Sequence, residues 1–239
     1  MKSNKDELRK RGFLNGSEIN IYESLTLDEL FLKLNSEIAT ERTTAAIVLR
    51  TKIDYNNSEC IKLLLDRLTI EKALYTKLEI CNTLAFGSEH TALVMCDYLG
   101  QIGKNQHKTV GVPSKKKSFP LQRDIISRTL SRMDKSVFPV LLAQLAIRER
   151  DKVSELIDAV GYMAFYNGEL ATATNFKEIE KLYGQYKDDE LILWKIALCC
   201  SAFPLPESQQ LLDKIERVST HLSIMQEIHR SMKFIESYL

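Results

Sequence analysis

The eighteen residues GKNQHKTVGVPSKKKSFP, from 103 to 120, hold five lysines, one histidine and two prolines but no acid. The chemistry such a composition offers is charge neutralisation. Lys104, Lys108, Lys115, Lys116 and Lys117 on an irregular segment can reach phosphates or carboxylates without reading a sequence. Arg128 and Arg132, four apart on the following helix, extend the same positive surface, while Asp124 stands one turn before Arg128 and offers it a local partner. The same composition also describes an exposed insertion kept soluble by its lysines, and that plainer reading is preferred. Nucleic acid is therefore the lesser of two expected partners.

Bond-making chemistry is harder to assemble from the remaining residues. The histidines are His90, His107, His221 and His229. His221 and His229 are eight apart, too far for a one-turn metal pair, and no HExxH occurs. GxSxG, GxxxxGK[ST] and GxGxxG are all missing, so neither a nucleophile elbow nor a phosphate-cradling loop is present. The acids Asp188, Asp189 and Glu190 fall where a helix should begin, a position that favours negative charge. Trp194, the single tryptophan, lies in LILWKIAL and is expected to pack as a core aromatic. Tyr162, Phe165 and Tyr166 are too crowded to share one core, so at least one ring should be exposed. The expectation is no enzyme, no cofactor and no metal.

A chain of 239 residues that is 44% hydrophobic can bury a large core. Its formal net charge is +1, but the charge is unevenly placed. Between Lys104 and Lys135, nine bases oppose only Asp124 and Asp134. The first twelve residues hold five bases and two acids, so the rest of the chain carries a net of −9. Nine glycines and five prolines in this length favour helix throughout. Cys60, Cys81, Cys96, Cys199 and Cys200 are odd in number, lie among apolar residues and lack CxxC spacing, as reduced core thiols in a cytoplasmic protein would. No apolar run is long enough for export or membrane insertion to be expected.

The elements that must position these residues read as about six helix pairs. Thr26 and Glu29 form a capping box before LDELFLKL. Asn57 or Ser58 starts a later helix, Ser136 with Pro139 another, and Asn175 with Glu178 a third. Connections are short except at 104–119. The second helix of each pair repeats an apolar residue, a mostly small residue and, three further on, another apolar residue. The register runs Ala45-Ala46-x-x-Leu49, Ile80-Cys81-x-x-Leu84, Ile126-Ser127-x-x-Leu130, Leu156-Ile157-x-x-Val160 and Ile196-Ala197-x-x-Cys200. Three residues before the first apolar position stand Arg42, Lys77 and Arg123, then Val153 and Leu193.

This repeat, with a basic position early in the second helix, resembles the HEAT-repeat family of α-solenoids from residue 25 to 239. The family's Asp-x-x-x-Arg signature is degenerate here. The resemblance implies an all-α, right-handed superhelix of HEAT-like helix pairs as one domain over 25–239, after a basic lead-in at 1–24 and with the insertion at 104–119. It implies second helices on the concave face, with Arg42, Lys77 and Arg123 along one inner ridge. A non-catalytic scaffold for a protein partner is the expected function. The alternative is a nucleic-acid-binding HEAT-like protein related to the alkylpurine DNA glycosylases, using the basic loop and adjacent arginines. That family places an Asp one turn from an aromatic residue, whereas position 198, one turn after Trp194, is leucine.

Overall fold

The computed structural model describes residues 4–15 and 18–237, so parts of the expected lead-in and the last two residues lie outside the described residues. All regular elements among the described residues are helical. The chain divides into two compact units, Met1–Ile102 and Gly103–Leu239, and the boundary falls where the basic stretch begins. No described helix is long and apolar enough to cross a membrane.

The first unit contains α1 (Lys5–Lys10), α2 (Leu27–Leu34), α3 (Ala39–Leu49), α4 (Ser58–Ile70), α5 (Leu74–Ala85) and α6 (Glu89–Cys96). The capping box of α2 forms as the sequence predicts: the Thr26 hydroxyl accepts from the Glu29 amide, and the Glu29 carboxylate accepts from the Thr26 amide at 2.8 Å. Asn57 caps α4 by accepting from the Glu59 amide at 2.9 Å. Helix α3 packs against α1, α2 and α5, while α4 packs against α5 and α6. Threonines stitch α3 to α5. The Thr83 hydroxyl donates to the Ala46 carbonyl at 2.6 Å, and the Thr43 and Thr76 hydroxyls lie 2.8 Å apart. Ala45 and Ala46 are what let the two backbones come so close.

The second unit contains α7 (Ile125–Leu130), α8 (Phe138–Leu145), α9 (Arg150–Tyr166), α10 (Ala173–Tyr186), α11 (Glu190–Cys200), α12 (Pro206–Val218) and α13 (Leu222–Glu236). Within it α7, α9, α11 and α13 touch in succession, and so do α8, α10 and α12. Pro139 lies in the first turn of α8, as expected. Asp189 caps α11 by accepting from the Ile192 amide at 3.0 Å, which accounts for the acids there. Two starts are displaced. Asp134, not Ser136, caps the turn that leads into α8, by accepting from the Ser136 amide at 2.9 Å. Thr172, not Asn175, caps α10, because its hydroxyl accepts the Asn175 amide at 3.2 Å while the Asn175 side chain donates back to the Leu170 carbonyl.

Every apolar or small position of the repeat register is buried in its unit, including Leu49, Leu84, Ile126, Leu130 and Val160. Leu84→Ala should therefore cost about 2–5 kcal/mol of unfolding free energy. Denaturant titration followed by far-UV circular dichroism measures it, and a loss of a few tenths would contradict the packing.

Candidate functional site

Helix α11 is buried on nearly every side, so a lysine in its middle has no route to water. Lys195 is fully enclosed. Its ammonium donates to the Ser154 carbonyl at 2.9 Å, to Glu155 Oε1 at 3.0 Å and to Asp158 Oδ2 at 2.9 Å. Three donors meet three acceptors, all on α9. Burial by itself would lower the Lys195 pKa, but the carboxylates of Asp158 and Glu155 outweigh it and raise the value. Burial drives Glu155 the other way, pushing it up to about 7 against the pull of Lys195. Its second oxygen, Oε2, has no hydrogen-bond partner among the described residues. The sequence signal for this cluster is Lys195 interrupting an otherwise apolar helix, with the acids one turn apart in SELID.

The basic stretch is not a free insertion. It lies across α9, α11 and α13 and is fastened at four points. Gln106 donates to Asp124 Oδ2 at 2.9 Å, and Asp124 in turn caps α7. His107 meets Trp194 edge to face, with centroids 4.9 Å apart. Phe119 is buried beside Tyr162 and Phe165. The Arg230 guanidinium on α13 donates to the Ser118 carbonyl at 3.2 Å and the Lys116 carbonyl at 3.4 Å. Two glycines make the close approach possible: a Cβ at Gly111 would stand 2.7 Å from Trp194, and one at Gly161 would stand 2.6 Å from Phe119. An insertion kept in solution by its lysines would need neither glycine nor a buried phenylalanine. Of the three crowded rings, Tyr166 is the exposed one, at 51%.

Under this strap is a cavity of about 230 Å³ with His107, Phe119, Arg123, Asp158, Trp194 and Glu227 in its wall. Burial holds the His107 imidazole down to about 4, helped by the nearby charges of Arg123 and Lys195. The ring is therefore neutral at physiological pH.

On the strap's other side, Val112, Pro113, Lys115, Lys116 and Lys117 face His229, Arg230, Lys233 and Phe234 of α13 across a groove of about 1010 Å³. No acid lines it. Glu227 accepts from Arg230 at 2.8 Å, and the Arg230 guanidinium lies over the Phe234 ring at 4.8 Å. The remaining polyanion candidates separate into other places. Lys104 shares a shallow depression with Arg123 and Arg128. Arg128 also donates to the Gln122 carbonyl through both Nε and Nη2. Lys108 faces the acids Asp188, Asp189 and Glu190. Arg132 is exposed at the end of α7.

In the first unit Arg42, expected on an open ridge, is buried instead. Its guanidinium grips Glu71 through Nε at 2.7 Å and Nη2 at 2.9 Å, and Nη1 donates to the Ser36 and Glu37 carbonyls. The acid that claims it is 29 positions away in the chain. Lys77 is half-buried on α5, and Arg123 is exposed at the mouth of the cavity in the second unit. Of the other histidines, His221 caps α13 by accepting from the Ser223 amide at 3.2 Å, and His90 pairs with the Ser58 hydroxyl at 2.8 Å. No group of three or more His, Cys, Asp or Glu side chains among the described residues is placed to hold a metal ion.

No protein-family model matches the chain, and no curated protein matches it. Among solved structures, the chain is similar to the crystal structure of an engineered protein. The match has 14% identity and a TM-score of 0.40 over 88% of this chain and 96% of the other.

Proposed function

We propose that the protein is a non-catalytic interaction scaffold, built as a right-handed HEAT-like α-solenoid, that holds an acidic and partly apolar segment of a partner protein. The groove between the strap and α13 carries this reading. Lys115, Lys116, Lys117, His229, Arg230 and Lys233 surround Val112, Pro113 and Phe234 with no acid among them. An apolar floor under a cationic rim complements a segment in which acids alternate with large apolar residues, since the rim supplies orientation and the floor supplies buried area. A nucleic acid fits less well. A single-stranded chain wants successive aromatic platforms, whereas among the described residues the groove is lined by lysines with only Phe234 and His229 as aromatic rings, both on α13. The net negative charge elsewhere in the chain also opposes a long polyanion. Burial of all five cysteines suits a reducing cytoplasm.

The test is fluorescence anisotropy with a labelled peptide of alternating glutamate and leucine, compared with a labelled single-stranded oligonucleotide of equal charge. The peptide should bind more tightly, and Lys115→Glu, Lys116→Glu and Lys117→Glu together should weaken it by at least about tenfold. Tighter binding of the oligonucleotide, or indifference of the peptide to the three reversals, would overturn the reading.

A further inference from the structure

The strap that walls the groove is held the way a bound peptide is held. Among the described residues, no backbone-to-backbone hydrogen bond involves residues 107–119. Side-chain contacts alone fasten this stretch, so it can be drawn away without breaking regular structure. Three hydroxyls lie along it, on Thr109, Ser114 and Ser118. Ser114 is half-buried, and its oxygen already accepts from the Lys116 amide at 3.2 Å. Thr109 is exposed but follows only one lysine, Lys108, after Gln106 and His107. Ser118 is exposed, follows Lys115, Lys116 and Lys117 directly, and its hydroxyl makes no hydrogen bond among the described residues. Its backbone carbonyl accepts from Arg230 at 3.2 Å, which fixes the residue at the edge of the groove beside the cationic rim.

We infer that Ser118 is a phosphorylation site whose phosphate closes the groove, an inference that rests on the reading of the groove as a dock for an acidic segment. Kinases choose substrates largely by charge pattern. Three lysines before the acceptor and an aromatic residue after it suit a kinase with an acidic substrate cleft. The Ser118 Oγ attacks the γ-phosphorus of ATP, and the Oγ–P bond forms as the bond from that phosphorus to the β,γ-bridging oxygen breaks. ADP leaves, and the hydroxyl proton passes to the catalytic aspartate of the kinase. The new group carries about −1.5 to −2 charges at pH 7 and three acceptor oxygens. It arises beside Lys115, Lys116 and Lys117 on the strap and Lys233 across the groove on α13, none of which makes an ion pair among the described residues. Arg230, by contrast, is already engaged by Glu227 at 2.8 Å. The phosphate therefore takes lysines as its counter-ions, and the rim keeps too little positive charge to hold the carboxylates of a partner. Phe119 fills its slot beside Gly161 when the strap is seated, so the kinase acts while that ring is lifted out.

Full-length protein is incubated with ATP and the catalytic domain of a protein kinase C, an enzyme selective for basic residues near the acceptor, and the product is mapped by tandem mass spectrometry. A phosphate should appear on Ser118, and the strap of Ser118→Ala should stay unmodified. By anisotropy, the modified protein should bind the labelled glutamate and leucine peptide at least about tenfold more weakly than the unmodified protein. Phosphatase treatment should restore the affinity. Ser118→Ala carried through the same kinase reaction should bind as the unmodified protein does, and far-UV circular dichroism checks that the helices are intact throughout. Failure of the kinase to modify Ser118 overturns the site. Modification of Ser118 without weaker peptide binding overturns the closure of the groove. Absence of peptide binding to the unmodified protein overturns the groove reading and its closure together, while the mass measurement decides the site by itself.

Discussion

Lys195→Met should lower the stability of the second unit by about 3–5 kcal/mol, the cost of removing one partner from a buried ion pair. The methionine fills most of the volume, so the loss is electrostatic. Asp158 and Glu155, two carboxylates one turn apart on α9, would share the interior with no cation. Emission of Trp194, the neighbouring residue, during urea unfolding measures the loss. Glu155→Gln should behave in the opposite sense. The folded pKa of Glu155 is raised from 4.5 to about 7, so the folded state holds a proton that the unfolded state has lost between those values. Stability from this group is full below about pH 4.5 and declines as pH rises through about 7. The glutamine variant should lose that decline and equal or exceed the wild type at pH 8. If Lys195→Met is neutral, or if Glu155→Gln keeps the decline, the hydrogen-bonded cluster between α9 and α11 is not the source of either effect.

Most of what can be read from the sequence is local. The capping box at Thr26, the cap at Asn57 and the first-turn proline of α8 each depend on neighbours within four residues, and each forms. The small and apolar register of the second helices is also local to each helix, and all of it is buried. The candidate sites depend on distant partners. Nothing in KTVGVPSKKK says that its backbone will be held by Arg230, which lies 112 positions beyond Ser118. Two signals were nonetheless present. Phe119 is an aromatic residue closing a polar stretch, and Gly161 interrupts a helix that otherwise favours larger residues; the structure brings them together because each needs the other. Arg42 shows the opposite limit. A basic residue at a repeated position looks like a surface feature until the acid that claims it is known, and Glu71 lies outside the repeat register.

Glu71→Gln should destabilise the first unit by about 3–5 kcal/mol, because one carboxylate joins three helices. It accepts from Arg42 of α3 at 2.7 and 2.9 Å, from Arg67 of α4 at 2.9 and 3.1 Å, and from the Lys72 and Ala73 amides at 2.8 and 2.7 Å at the approach to α5. Burial alone would raise its pKa. The hydrogen bonds from Arg42 and the Ala73 amide, with the charges of Arg67 and Arg42, reverse that and pull it down from 4.5 to about 2. A depressed folded value means that the unfolded state binds the proton first on acidification. The stabilisation is complete above about pH 4.5 and is lost as pH falls towards about 2, roughly 3 kcal/mol in all. The glutamine retains an acceptor for the amides but leaves two guanidiniums facing a neutral group, and Arg42 is too buried to turn to water. Urea titration by far-UV circular dichroism at pH 7 and pH 3 should show a large gap between wild type and variant at the higher pH and a much smaller one at the lower. Equal gaps would mean that Glu71 acts through shape alone, and no gap at either pH would mean that Arg42 and Arg67 do not depend on it.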